Sequence, residues 1–238
     1  MKFEDYQKLY ENLDKYNNEI THGDDLKHEI FEWKIPNLES VIPKGLKINS
    51  IAEVGCFSGD LVANITINNE NIQRTGYDCN SKAIELAKSK YPKIDFVIED
   101  ITNSFSHYDL VILSDIIEHI KDDEAFLNNL SKNTKALLIN LPLEKCWANL
   151  FREYGINDSS GHMKAYSYED AIDLFNKTRW KVINYKIKWF CETEIYNQLN
   201  FKDNSFLKKK LKNIVLNNKY LRRKYFPSNL FAFLLRDA

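Results

Sequence analysis

The sequence predicts an α/β fold, a doubly wound and mostly parallel sheet, for this chain of 238 residues. Three observations carry the prediction. Short apolar runs recur at residues 50–54, 72–78, 94–98, 108–113 and 135–140, and such continuous runs are the pattern of strands buried on both faces. Helical patterns of about a dozen residues alternate with them, which winds the chain around the sheet. The first run also breaks into a glycine turn, Gly55-Cys56-Phe57-Ser58-Gly59, that leads straight into a helical pattern over 60–65. Strand, tight turn and helix start together make the nucleotide crevice of an open α/β sheet.

The turn has a carboxylate in register with it. Asp78 closes the second apolar run, 19 residues past Gly59, the spacing expected of a group that accepts hydrogen bonds from ribose hydroxyls. Gly55 allows a sharp turn, and Gly59 allows ligand or helix to come close. The spacing is not that of a dehydrogenase fingerprint, which needs G-x-G-x-x-G and a pyrophosphate at the helix N-terminus. Here it reads Glu53-x-Gly55-x-x-x-Gly59.

Upstream of this centre, residues 1–33 read as helical. Phe3, Tyr6, Leu9, Tyr10, Leu13 and Tyr16 form one apolar stripe. Gly23-Asp24-Asp25 breaks the pattern, residues 26–33 resume it, and Pro36 and Pro43 lead into the first strand. Downstream, Asn80 or Ser81 caps a helix that runs to Lys90 and buries Ile84, Leu86 and Ala87. The third strand ends at Glu99-Asp100-Ile101 and the fourth at Ser114-Asp115. The fifth is expected to stop before Pro142.

After the fourth strand comes Ser114-Asp115-Ile116-Ile117-Glu118-His119. A helix would place Asp115, Glu118 and His119 on one face, at the carboxyl end of a strand. The alternative is an N-cap at Asp115 with Glu118 as its capping partner, which leaves His119 unexplained. A second histidine, His162, sits in a loop before a helix over 171–177, for which Ser167 and Asp170 form a capping box. A sixth strand follows at 180–185 and a last one at 229–235. Between them, 190–228 is an insertion whose segments 206–216 and 219–226 are basic with apolar partners.

At this point the sequence resembles the class I S-adenosylmethionine-dependent methyltransferases. Their first motif is an acidic residue followed by spaced glycines, and Glu53, Gly55 and Gly59 match it, with Phe57 in place of the middle glycine. The resemblance spans about residues 50–186. It implies a Rossmann-like seven-stranded sheet with an antiparallel last strand, preceded by N-terminal helices and carrying the basic helical insertion. It implies one domain over 1–238, made of an N-terminal helical cap (1–48), a cofactor-binding core (49–189), the insertion (190–228) and the last strand (229–238). It implies a cofactor site of Glu53, Gly55, Cys56, Phe57, Gly59, Asp78, Cys79, Asp100, Ile101 and Ser114, with Asp100 at the adenine amino group and Ile101 against the ring. The segment 115–119 together with His162 is similar to the E-x-x-E-H…H metal site of the small-RNA 2′-O-methyltransferases and quinone-biosynthesis O-methyltransferases, with Asp115 in place of the first glutamate. The implied catalytic group is Asp115, Glu118, His119 and His162. It acts either through a histidine base titrating near its usual value or as ligands of Mg²⁺, Mn²⁺ or Zn²⁺.

Composition bounds the partners. The chain is 44% hydrophobic and 28% charged, as expected of a globular protein, and no apolar run reaches the ~18 residues of a membrane span. Cys56, Cys79, Cys146 and Cys191 lack C-x-x-C spacing, so reduced thiols and a cytoplasmic location are expected. The net charge of −1 divides unevenly, because residues 202–238 hold ten basic and two acidic residues and carry +8. The rest therefore carries −9, which disfavours nucleic acid, while 206–226 suits an anionic membrane surface. The expected function is O-methylation of a small-molecule, sugar or nucleotide-sugar hydroxyl, as in surface-polysaccharide biosynthesis. An RNA 2′-O-methyltransferase and a non-catalytic cofactor-binding protein are the alternatives.

Overall fold

A computed structural model describes residues 2–12, 28–67, 71–189 and 217–237. Seven strands form one sheet, β1 (Ser50–Val54), β2 (Gln73–Tyr77), β3 (Asp95–Val97), β4 (Leu110–Ser114), β5 (Ala136–Leu143), β6 (Trp180–Lys188) and β7 (Ser228–Arg236). Their order is β3-β2-β1-β4-β5-β7-β6. β1 to β5 pair in parallel, and β7 lies antiparallel between β5 and β6. The order reverses between β1 and β4, which opens the crevice at their carboxyl ends.

Period-two alternation along the central strands fills both faces. Leu110, Ile112, Leu138, Phe231 and Phe233 point to one side, and Val111, Leu113, Ile139, Ala232 and Leu234 to the other. The first side is covered by α2 (Ile35–Glu39), α3 (Asp60–Asn64) and α4 (Ser81–Lys90), through side chains such as Leu38, Val62 and Ile84. The second is covered by α5 (Asp123–Leu130) and α6 (Tyr168–Lys177), through Leu127, Leu130, Leu174 and Phe175. Asn80 caps α4 by accepting from the amides of Lys82 and Ala83, and Ser167 with Asp170 forms the capping box of α6.

Two prolines behave differently from expectation. Pro36 does not lead into a strand. It sits in the first turn of α2, where its missing N–H costs nothing, and α2 follows a π-helical turn, Glu29–Lys34. Pro142 does not end β5, which continues to Leu143 opposite β7. β4 pairs with β5 only as far as Asn140, so at Pro142 the strand has one partner and tolerates a residue that cannot donate.

At the N-terminus, α1 (Phe3–Glu11) lies over the sheet's carboxyl end, and its expected companions Leu13 and Tyr16 fall outside the described residues. So does the insertion from 190 to 216, while α7 (Lys219–Tyr225) precedes β7. Cys56, Cys79 and Cys146 are free thiols, and Cys191 lies outside the described residues. No described helix is long and apolar enough to cross a membrane.

Candidate active site

A cavity of about 780 Å³ opens where β1 and β4 end, roofed by Phe3, Tyr6 and Tyr10 of α1. Small-molecule sites run from about 300 to 1,000 Å³, so one medium-sized cofactor and part of an acceptor fit.

On one wall the β1–α3 turn is held by carboxylates that accept from backbone amides. Asp78 takes Phe57 N–H at 2.9 Å and Asn80 N–H at 2.8 Å, which fixes its carboxylate at the end of β2. Glu53 is buried and accepts Val62 N–H at 2.9 Å, so it ties down α3. Burial holds its carboxyl well above the usual carboxylate range. Gly55 has φ +69°, and a Cβ there would lie 2.2 Å from Ile116 Cδ1. Gly59 meets Phe96 of β3, not the cavity, so its close approach serves helix–sheet packing. Phe57, at the position of the family's middle glycine, still adopts a left-handed φ of 47°.

The remaining residues of this wall are partly structural. Cys56 is buried and its thiol is pushed up by burial, as is that of Cys79. Asp100 lines the cavity and accepts from Thr102 N–H and Oγ1–H, while Ile101 is buried beneath it. Ser114 Oγ–H donates to Asp115 Oδ2 at 3.1 Å.

On the opposite wall the expected helix face does not form. Ile117–His119 is a single 3-10 turn, and Asp115 precedes it with φ 56°, outside any helix. Asp115 therefore stays outside the cluster of Glu118, His119 and His162, although its charge still acts on Glu118. Its Oδ2 meets Lys34 Nζ at 3.0 Å and accepts from Asn140 Nδ2 at 2.9 Å. Glu118, His119 and His162 do come together, with one ligand atom from each within 4.8 Å of the others. The amides of Met163 and Lys164 donate to Glu118 O, and this stitches the His162 loop to the turn. Gly161 has φ +76°, the left-handed region that favours glycine, and a Cβ there would lie 3.2 Å from Tyr10 Oη and 3.4 Å from His119 Nδ1.

The electrostatics of this cluster are unusual. Glu118 is fully buried, neither carboxylate oxygen has a hydrogen-bond partner, and burial followed by the charge of Asp115 pushes its carboxyl well above the usual range. Burial, then the neighbouring His162, pulls His119 down to about 4. A base titrating near 6.5 is thus corrected to one that stays neutral through the physiological range. His119 Nδ1 lies 2.7 Å from Tyr10 Oη and 3.0 Å from Gly161 O. His162 Nδ1 lies 2.7 Å from Glu144 Oε2. Burial would raise Glu144, but His162 and Arg152 bring it below the usual range. Arg152 and the amides of Ser160 and His162 hold Asp158, so the whole loop is anchored.

Sequence reading missed Tyr10, Lys34, Asn140 and Glu144. Tyr10 was absorbed into an apolar stripe. Glu144 had a usable signal, because a polar residue just past a parallel strand's carboxyl end lies on the side where ligands bind.

The chain matches a family described as "Methyltransferase domain" over residues 52–136. It is 25% identical over 200 residues to "Ribosomal RNA small subunit methyltransferase C" of Buchnera aphidicola subsp. Baizongia pistaciae (strain Bp), covering 69% of this chain. The chain spans 58% of that relative's length. Among solved structures, the plantazolicin methyltransferase BpumL in complex with SAH is similar at TM-score 0.61 and 15% identity, covering 98% of this chain and 94% of that one. A chain of the complex between the Haloferax volcanii Trm112 methyltransferase activator and the putative methyltransferase reaches TM-score 0.66 at 12% identity, covering 93% and 97%. The "StiE O-MT" segment 961–1257 reaches 0.54 at 17% identity, covering 95% and 78%. Residues 52–136 thus match a methyltransferase domain, and the chain, with its crevice at the β1/β4 switch point, shares the fold of these solved methyltransferases.

Proposed function

We propose that the protein binds S-adenosylmethionine and methylates a hydroxyl of a small molecule or sugar, including a nucleotide-linked sugar of surface-polysaccharide synthesis. One observation carries this. A single cavity joins the fixed Asp78 carboxylate and glycine turn to His119 and His162, with Glu118 of the same cluster buried behind them. S-adenosylmethionine supplies a sulfonium methyl for in-line displacement. Asp78 accepts from the ribose hydroxyls, Asp100 and Ile101 hold the adenine, and the 53–59 turn packs against the amino-acid end. Opposite them, neutral His119 takes the acceptor's proton at Nε2, since Nδ1 is engaged by Tyr10 and Gly161.

The same three groups fit a divalent cation. Each imidazole has its Nδ1 against oxygen, the arrangement that orients metal-ligating histidines. Glu118 brings a buried carboxylate with no partner. When bound, an ion would lower the acceptor hydroxyl's pKa, with Glu118, His119 and His162 as its ligands and Asp115 outside the set. Calorimetric titration with Mn²⁺ and with Mg²⁺ tests this. Binding lost in Glu118→Gln, with turnover abolished by chelator, supports the ion, whereas chelator-insensitive turnover leaves His119 as a metal-free base.

The resemblance to a ribosomal RNA methyltransferase favours RNA as a second reading, against the acidic body of the chain. RNA affinity falling steeply with salt would support it. A non-catalytic cofactor-binding role is excluded by any methyl transfer. We place the protein in the cytoplasm on its reduced thiols. A peripheral membrane contact is placed beside α7, where Trp147 and Leu150 stand exposed near Lys224. Loss of sedimentation with anionic vesicles in Leu150→Ser tests that contact. The acceptor itself is found by screening hydroxyl compounds for a mass gain of one methyl group.

A further inference from the structure

A second cavity, of about 730 Å³, lies between the segment that follows β5 and α7. Glu144 and Ser228 line both cavities, so the two adjoin where β5 ends opposite the start of β7. Glu144 forms the wall between them. Its Oε2 lies 2.7 Å from His162 Nδ1 on the side of the first cavity, and its Oε1 accepts from Arg152 Nη1 at 2.8 Å on the side of the second. A ligand that fills the second cavity therefore lies one side chain away from the His119 and His162 cluster.

The lining of the second cavity is rich in aromatic rings, those of Trp147, Tyr154, Tyr168 and Tyr220. Trp147 packs on Tyr225 of α7 with ring centroids 4.8 Å apart and is still 59% exposed, and Tyr220 is 65% exposed. The polar side chains of Asn149 and Glu169 stand among these rings. The cations are already engaged. Arg152 bonds Glu144 and both oxygens of Asp158, Lys145 pairs with Asp170 at 3.1 Å, and Lys224 lies 4.6 Å from the centre of the Tyr220 ring. Ring faces with a few polar groups between them, and cations already neutralised or stacked, suit an uncharged ligand better than a diphosphate. A sugar chain has the matching chemistry, with C–H faces that pack on aromatic rings and hydroxyls that reach the polar groups.

We infer that the second cavity is an acceptor subsite for a neutral oligosaccharide. The sugar that is methylated enters the first cavity past Glu144, and the next sugar of the chain stacks in the second, with Trp147 and Tyr220 as its platform. This rests on the reading that the first cavity methylates a sugar hydroxyl, and it narrows the acceptor from a nucleotide-linked monosaccharide to a chain of joined sugars. An anionic membrane would meet the same exposed rings from outside, and the test separates the two.

The full chain, saturated with S-adenosylhomocysteine, is applied to an array of neutral oligosaccharides and of their constituent monosaccharides. The wild type is expected to retain at least one oligosaccharide and none of its constituent monosaccharides. Trp147→Ala and Tyr220→Ala replace exposed side chains, and each should weaken that binding by about 5- to 30-fold, the range for truncating an aromatic anchor, with S-adenosylhomocysteine affinity unchanged. With S-adenosylmethionine the retained oligosaccharide should gain one methyl group, and both variants should raise its KM while kcat holds. Equal retention of the oligosaccharide by wild type and both variants would overturn the subsite, as would a retained oligosaccharide that gains no methyl group. No oligosaccharide retained, with Trp147→Ala losing sedimentation with phosphatidylglycerol vesicles, would overturn it in favour of a membrane face. A wild type that fails to bind S-adenosylhomocysteine sinks the cofactor reading itself, which is a different failure.

Discussion

The two walls of the cavity are held in opposite ways. On the cofactor wall three carboxylates are tied to backbone amides, Asp78 to Phe57 and Asn80, Glu53 to Val62, and Asp100 to Thr102. On the facing wall Glu118 is buried with neither oxygen hydrogen-bonded, Oε1 lying 3.8 Å from His119 Nε2, against two imidazoles whose ring centroids are 4.7 Å apart. A buried unsatisfied carboxylate is costly. The first wall is therefore complete before anything binds, and the second is poised for a ligand, a proton or an ion. Strand ends and a helix start build the first. A 3-10 turn, the 155–162 loop and α1 build the second.

The largest expected effect breaks the second wall alone. His119→Ala should lower kcat/KM by about 10²- to 10⁴-fold, the range for a lost general base. The Kd for S-adenosylhomocysteine should stay within about threefold, since cofactor groups lie on the other wall. A variant with wild-type kcat/KM on the true acceptor would remove His119 from the chemistry.

The same histidine should leave a mark on stability. Its folded value, about 4, lies below the ordinary 6.5. Between those values the unfolded chain binds the extra proton, so stability is intact above about pH 6.5 and falls as the pH drops toward 4. The loss specific to His119 is on the order of 3 kcal/mol. Denaturant melts from pH 7 to pH 4 should show the wild type losing about that much more than His119→Gln, and parallel curves would contradict the shift.

A change to the first wall should act on binding instead. Asp78→Ala removes a charged acceptor, with an expected loss of about 1.5–3 kcal/mol of cofactor affinity by calorimetry. Unchanged affinity in a folded variant would contradict the ribose role. The smallest effect sharpens the contrast at the roof. Tyr10→Phe removes the hydroxyl 2.7 Å from His119 Nδ1. A cost of about 1 kcal/mol, or roughly fivefold in kcat/KM with cofactor affinity unchanged, is expected. A drop in cofactor affinity as large as that in kcat/KM would instead assign Tyr10 to the first wall.

The sequence by itself determined the sheet, the glycine turn and the carboxylate at the end of β2. Those features are local, since short continuous apolar runs, a glycine turn and a fixed spacing to Asp78 are all properties of short segments. It also named His119 and His162, but not how they meet. Only the tertiary structure decided that Asp115 turns toward Lys34 while Glu118 turns inward. The reason is a left-handed residue followed by one 3-10 turn, where helical periodicity no longer tells which side chains share a face. Tertiary structure alone also decided that Tyr10, 109 positions away in the chain, reaches His119, and that Glu144 holds His162. Such contacts are made by chain segments that converge at the carboxyl end of the sheet. Nothing in their local sequence encodes the meeting, because each is positioned by the packing of a different element.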